Sequence, residues 1–359
     1  MATPTAYVAT PKILLDGQAN DALGVDVLSL LVEETAAGLY RCEARFNNHG
    51  LRPSGPGYLY FGRDAVDFGK GFAVQLGPGD QARQVFQGRI TALEAEYPAG
   101  GGGQLVVLAE DRLQDLRMTR RTRAFEDVSD EDVIRQIASE HSLTPQITLD
   151  GPTYKVLAQV NQSDLAFLRE RARAVGVELW VDDTTLYASS RPQRSGGSVD
   201  LTYGVNLISF SVLADLAHQC TELGAAGWDV AAKDAIEETA EESAISAELD
   251  SGTSGAAILG QALAPRKERL VHTGPLTSAE ARAVAQARFR ERARQFLTGS
   301  GTADGDARIR VGVTVNLIGL GSLFSGRYYV VRVRHSFDGA DGYRTEFDVE
   351  RPGLGPAES

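Results

Sequence analysis

GVTVNLIGLGSLFSGRYYVVRVRHSFDGADGYRTEFDVER, residues 312–351, is the stretch on which the fold turns. Val313, Val315 and Leu317 alternate with Thr314 and Asn316, the period-2 pattern of a strand with one buried face. Gly319, Gly321 and Gly326 interrupt that run. Residues 328–337 predict a second strand, rich in β-branched and aromatic side chains. Asp338, Gly339, Asp341 and Gly342 supply a turn, because Asp and Gly tolerate the backbone angles of a tight reversal. Residues 343–351 return as a third strand. Tyr343, Thr345, Phe347 and Val349 share one face, and Arg344, Glu346, Asp348 and Glu350 share the other. The stretch predicts an antiparallel meander with one face for a core and one for water or a partner.

The same plan occurs near the start of the chain. GFAVQL (71–76) answers GVTVNL (312–317), and Phe86, Gly88 and Arg89 answer Phe324, Gly326 and Arg327. ITALEAEY, the turn at 100–103 and QLVVLAED answer YYVVRVRH, the turn at 338–342 and YRTEFDVE. This ordered match predicts a duplicated β-domain with copies roughly 240 residues apart.

At 359 residues the chain is too long for one ordinary core. Its composition is that of a folded globular protein. A formal net charge of -12 argues against nucleic acid as the main partner, since phosphate contacts need a basic surface. No apolar run approaches a membrane span, and the N-terminal residues lack the pattern of a secretory signal. Cys42 and Cys220 are isolated in sequence, which suggests buried free thiols in a reduced cytoplasm. We therefore expect synthesis in the bacterial cytoplasm, followed by incorporation into a larger particle.

Taken in order, residues 6–15 read as a first strand, and 25–32 with 39–46 as a strand pair. Residues 48–66, rich in Gly, Pro and Asn, read as a loop. With the meander of 71–110, this makes roughly six strands, enough for a small barrel or sandwich. Residues 117–125 are basic. Ser129 then offers an N-cap, with acids in the first turn, for a helix ending near His141. A second helix starts at Ser163-Asp164 and stops at Gly176. VELWV and TLYAS form a hairpin around Asp182-Asp183. Strands are expected through 232. Residues 233–264, acidic and then rich in Ala, Ser and Gly, read as exposed helix and loops. Thr277 and Glu280 form a capping box that opens an Ala- and Arg-rich helix to about 297.

The expected class is mainly β with α+β elements. The first β-barrel domain covers 1–117, and a small α+β middle domain covers 118–192. The second, discontinuous β-barrel domain comprises 193–232 plus 299–353. A mostly helical insertion occupies 233–298, and a flexible tail 354–359.

SDLAFLRERARAVGVELWVDDTTLYAS, with Asp164, Phe167, Leu168, Gly176 and Trp180, resembles the signature of phage late control protein D and related contractile-tail baseplate hub proteins, including the hub portion of type VI secretion spike proteins. Tyr329, Val330, His335, Gly342, Tyr343 and Thr345 stand where the family has its closing strands, and TSAEARAVAQARFRERA resembles the Ala-rich helix before them. The resemblance spans roughly 125–351. It implies two tube-like β-barrels, a middle domain and an inserted domain in a homotrimer. Six barrels would then mate with a hexameric inner tube on one side and a threefold spike on the other, among other baseplate proteins. A symmetric ring also satisfies barrel edges by pairing them with neighbours. No barrel or β-prism follows RPGLGPAES, so the spike is expected to be a separate chain.

Few residues are candidates for chemistry. HExxH, GxSxG, a phosphate-binding loop and CxxC are all missing from the sequence. His49, His141, His218, His272 and His335 are scattered. His335 as a base would need an acid, with Asp338 the nearest in sequence; a structural strand histidine is the expected reading. Asp182-Asp183 could supply one carboxylate of a glycosidase pair, but Asp at a tight hairpin has a conformational reason to be there. Glu237, Glu238, Glu241 and Glu242 could bind a cation, or form a solvated helical face. The arginines at 117–123 suit an acidic partner, a phosphate, an inter-subunit surface or a tube lumen. We assign no catalytic, cofactor-binding or metal residue and no cofactor. The leading expectation is a structural hub without turnover. The alternatives are a particle-borne cell-wall hydrolase and a carbohydrate-binding β-module, the latter limited by Trp180 and Trp228, whose apolar strand patterns suggest burial.

Overall fold

The computed structural model describes residues 10–356 except 54, 80, 81, 195, 251 and 276, with main chain only at 272–275. Residues 6–9 of the expected first strand therefore lie outside the described residues, as do 357–359 of the expected tail.

The fold is mainly β. Six strands form a first repeat: β1 (Lys12–Leu15), β2 (Val27–Thr35), β3 (Arg41–Asn47), β4 (Gly71–Leu76), β5 (Arg83–Glu96) and β6 (Gln104–Glu110). Six more form a second: β7 (Ser198–Thr202), β8 (Leu207–Ala214), β9 (Leu297–Asp304), β10 (Thr314–Ile318), β11 (Gly326–Asp338) and β12 (Gly342–Arg351). The first is ordered β2-β3-β6-β5-β4-β1 and the second β8-β9-β12-β11-β10-β7, so each strand has a counterpart at the same place. One direction differs: β1 is antiparallel to β4, whereas β7 is parallel to β10.

The bulges repeat as well. Leu28 in β2 and Ile208 in β8 are the extra residues against β3 and β9. Thr91 in β5 and Val331 in β11 are the extra residues against β6 and β12. A bulge bends and twists its strand, which curls each sheet. The pairing also corrects the alignment of the two copies. Ile90 corresponds to Val330 rather than to Tyr328, and Gln104 to Arg344 rather than to Tyr343. Side chains alternate along a strand, so an error of one position exchanges the two faces; β11 and β12 stay paired closer to their turn than β5 and β6 do, which hid the true alignment.

Each repeat curls because its long strand serves two layers. Residues 83–89 of β5 pair with β4 and residues 89–96 with β6. Gly88 sits at this crossover, where a Cβ would come within 2.2 Å of the Glu110 carbonyl oxygen. Phe46, Phe72, Leu76 and Ile90 fill the first core, and Leu207, Tyr328, Val330 and Phe347 the second. Each such side chain, taken out of water, contributes about 1.5–3 kcal/mol.

The middle domain forms as its caps dictate. Helix α1 (Asp130–Glu140) starts at Ser129, with a capping box to Asp132. Helix α2 (Asp164–Val175) starts at Ser163 and stops at Gly176, whose φ of 75° suits glycine. Val133, Ile134, Ile137, Leu165 and Leu168 pack a third core with residues of the 178–189 hairpin.

The insertion departs from expectation. CTELGAAGW does not join the second barrel. Strand Glu222–Asp229 pairs instead with Asp234–Glu241 and Lys267–Pro275. The acidic segment expected as helix is thus a strand. Its three glutamates lower the strand signal, yet Ile236, Glu238 and Ala240 alternate inward. Helix α3 (Ser278–Arg294), opened by the Thr277–Glu280 capping box, lays Ala281, Ala285 and Phe289 on this sheet. Its alanines allow close approach. The insertion is therefore α+β with its own core. Two smaller corrections concern loops: 48–66 contains a hairpin of His49–Arg52 with Gly55–Tyr58, and Leu354, expected in the tail, pairs with Thr253.

Candidate functional site

The two repeats share one sheet. β2, at the edge of the first, pairs antiparallel with β11 of the second, from Arg332 opposite Thr35 to Asp338 opposite Ser29. The result is a continuous run of eight strands, β8-β9-β12-β11-β2-β3-β6-β5. One face covers the cores. The other is polar and carries a ladder of ion pairs.

Glu33 is the centre of that ladder. Arg41 donates to it at 2.5 Å and Arg332 at 3.0 Å, and Arg334 lies 3.5 Å away. Burial alone would raise its pKa, but the hydrogen bond and charge of Arg41, with Arg332 and Arg334, outweigh that and keep it lowered. Arg332 also reaches Asp348 at 3.2 Å, and Arg344 reaches Asp304 at 3.6 Å. The two exposed pairs, Arg332–Asp348 and Arg344–Asp304, contribute about 0–1 kcal/mol each and set the charge pattern of the face more than its stability.

A second network joins three bodies behind the sheet. Glu178, buried at the start of the middle-domain hairpin, accepts from Arg191 and Arg194 at 2.9 Å each, and from the Tyr329 hydroxyl at 2.6 Å. Arg194 donates onward to the Tyr40 hydroxyl at 2.9 Å and to the Val311 carbonyl at 3.0 Å. Arg191 reaches Glu350 at 2.5 Å. Desolvation would push Glu178 up, but the charges of Arg191 and Arg194 hold it lowered. Nearby, the buried carboxylate of Glu34 accepts from Arg310 and from the Val311 amide at 3.0 Å. First repeat, middle domain, linker and second repeat are thereby fixed to one another. None of Tyr40, Glu34, Glu178, Arg191, Arg194 or Arg310 was singled out by sequence. The only clue was two arginines three apart around Pro192 in a segment otherwise suited to a loop.

The residues that sequence did single out fall elsewhere. The basic segment is taken up within the chain. Arg123 donates to Asp164 at 2.9 Å and Glu140 at 2.8 Å, Arg121 lies 3.2 Å from Asp164, and Arg117 pairs with Glu110. His141 also contacts Asp164, at 2.9 Å. His335 is fully buried, with Nδ1 2.9 Å from the Tyr343 hydroxyl. Burial, reinforced by the charge of Arg310, lowers its pKa to about 3. Asp338 is remote in role: it caps its own turn by accepting from the Ala340 and Asp341 amides at 2.8 and 2.7 Å. Asp183 adopts φ 50° at the hairpin tip and accepts from Gln87 at 2.7 Å. Glu237 pairs with Arg269 and Glu238 with Arg282. Cys42 and Cys220 are free and buried. His49 stands edge-on to Tyr58; the His272 side chain lies outside the described residues. Trp180 is half-buried between Tyr187 and Arg194. Trp228, expected to be buried, is 52% exposed, because its strand belongs to the thin insertion sheet and not to a barrel. Among the described residues no helix is long and apolar enough to cross a membrane.

This two-repeat framework has known relatives. The profile of one protein family, described as the Alg8 N-terminal domain, matches residues 62–338, which is more than half of the chain. The chain belongs to the Alg8 N-terminal domain family. No curated protein matches it. Its fold is similar to the 43 kDa tail protein of prophage MuSo2 from Shewanella oneidensis, with a TM-score of 0.68, 13% identity, and coverage of 96% of this chain and 98% of that one. It is also similar to the tail protein from Neisseria meningitidis MC58, with a TM-score of 0.66, 12% identity, and coverage of 97% and 98%. A third similar structure is the E. coli c3393 protein, with a TM-score of 0.59, 13% identity, and coverage of 96% and 79%. That protein is described as a type VI secretion component similar to the T4 tail proteins gp27 and gp5. This member of the family thus has the fold of phage tail and type VI secretion proteins.

Proposed function

We propose that the chain is a structural hub of a contractile tail or injection particle, working as a homotrimer that joins a sixfold inner tube to a threefold spike, with no turnover. The observation that carries this reading is the pair of six-stranded repeats with the same strand order, fused side by side into one sheet. Three such chains present six near-equivalent repeats to a tube. The middle domain and the insertion occur once per chain and keep threefold symmetry for a spike. About 24 strands at roughly 4.8 Å spacing would enclose a lumen roughly 37 Å across before strand tilt widens it. The ionic junction around Glu178 supplies the stiffness that transmitting force requires. The likeness to tail proteins, and the resemblance of 125–351 to late control protein D, support the same reading.

The partners are two further copies of the chain, a hexameric inner-tube protein, a spike protein and neighbouring baseplate proteins, assembled in the bacterial cytoplasm. Native mass spectrometry at two concentrations, alone and with the spike protein co-expressed, tests the stoichiometry. A trimer in either setting is the expected result; a monomer in both overturns the hub.

A further inference from the structure

Each repeat carries a strand whose neighbour is present in one copy and missing in the other. β2 has β3 on one side and β11 on the other. Among the described residues its counterpart β8 has β9 alone, apart from one bridge of Leu207 to Tyr203. Residues 332–338 of β11 have β12 on one side and β2 on the other. In the counterpart strand β5, residues 92–96 have β6 alone among the described residues. The two open edges are therefore the repeat equivalents of the two strands that already pair inside the chain.

We propose that β8 of one chain pairs antiparallel with residues 93–97 of a second copy, in the register that β2 and β11 use within one chain. This inference rests on the ring reading above and gives it a specific joint. The shared bulges fix the register: Leu28 with Ile208, and Thr91 with Val331. Carried over, Val333 opposite Glu34, His335 opposite Val32 and Phe337 opposite Leu30 become Leu93 opposite Ala214, Ala95 opposite Val212 and Tyr97 opposite Phe210. All three new pairs are apolar on both sides, although nothing in the transfer required it. On the polar face, Glu94 meets Leu213 and Glu96 meets Ser211, so no like charges oppose.

Exposure agrees. His335 and Phe337 are 0% and 6% exposed where β2 covers them, whereas Tyr97 is 64% exposed and Ala95 is exposed. Leu213 is 60% exposed. An open strand edge with apolar side chains is the kind of surface that proteins otherwise blunt with charge or cover. A second copy is the occupant that fits, because the matching edge is on this same chain and is continuous with the joint already formed. The contact is head-to-tail, each chain giving one edge of each kind, and the ring reading requires its rotation to close after three copies.

Disulfide trapping tests the register. Neighbouring antiparallel pairs alternate between wide and narrow spacing, and a disulfide needs close, directed Cβ atoms. Two double variants are therefore made, Glu94→Cys with Leu213→Cys and Ala95→Cys with Val212→Cys. A shifted control carries Glu94→Cys with Ser209→Cys. Oxidised proteins are run without reductant, and each is weighed by native mass spectrometry. The expected result is covalent dimer and trimer from at least one true pair, at several-fold higher yield than the control. Tyr97→Asp, at a surface position of the single chain, is expected to leave folding intact by circular dichroism and to shift the native mass towards monomer. A native trimer that cross-links in neither true pair, or equally in the control, overturns this joint and leaves the hub standing. A protein that stays monomeric even with the spike protein present overturns both.

Discussion

Arg194 lies over the indole of Trp180, its guanidinium carbon 4.0 Å from the ring centroid, while the same group donates to Glu178. A linker residue thus holds a middle-domain aromatic and a buried middle-domain carboxylate at once, and reaches Tyr40 and Val311 in the two repeats. A planar guanidinium can stack and donate in a fork; an ammonium cannot.

Arg194→Ala is expected to lower unfolding stability by about 3 kcal/mol, the low end for removing one partner of a buried pair, because Arg191 and Tyr329 still hold Glu178. Arg194→Lys recovers only part of the loss. Urea unfolding midpoints of the three proteins check this, and equal stability of Lys and Arg would contradict the stacking argument.

His335 gives the fold a pH dependence. Its pKa is about 3 when folded, against an ordinary value of 6.5, so unfolding takes up a proton between those limits. The stability it contributes is present above about pH 6.5 and is lost progressively as pH falls towards 3. Relative to His335→Gln, the native protein should lose about 1.4 kcal/mol per pH unit between pH 6 and 4. Denaturation of both proteins across that interval measures the difference.

Phe347→Ala in the second core should cost about 3–5 kcal/mol, since the side chain is 1% exposed and leaves a cavity. Trp228→Ser, at a half-exposed position on the insertion sheet, should change stability far less. Thermal melts of the two variants side by side decide whether the insertion strand is peripheral.

Removing the bulge residue Val331 should be far more damaging than replacing it with Ala. The deletion leaves Val330, Val333 and His335 facing the core and Arg332 and Arg334 facing out, but it removes the extra residue that bends β11 and curls the second repeat. Soluble yield and circular dichroism of the deletion against Val331→Ala test it; two equally folded proteins would show that the curl of the second repeat does not depend on the bulge.

Much of this architecture is legible in the sequence, for local reasons. Capping boxes at Ser129 and Thr277, the stop at Gly176 and the alternation in 343–351 are short-range signals that depend on neighbours a few residues away. The duplication is legible too, because both copies keep their small and apolar positions. What is hidden depends on distant partners. The bulges at Thr91 and Val331 are hidden because their unpaired status exists only once β6 and β12 are alongside. The strand at 234–241 is masked by its glutamates, which find Arg269 and Arg282 only after folding. Arg191 and Arg194 read as loop residues until Glu178 is brought beneath them.

In the proposed hub, two repeats per chain become six per particle. Electron microscopy of the purified chain, with or without the spike protein, measures this directly. Closed rings with six inner lobes and threefold outer density are the expected result. Rings with any other number of lobes, or isolated two-lobed particles under both conditions, would contradict it.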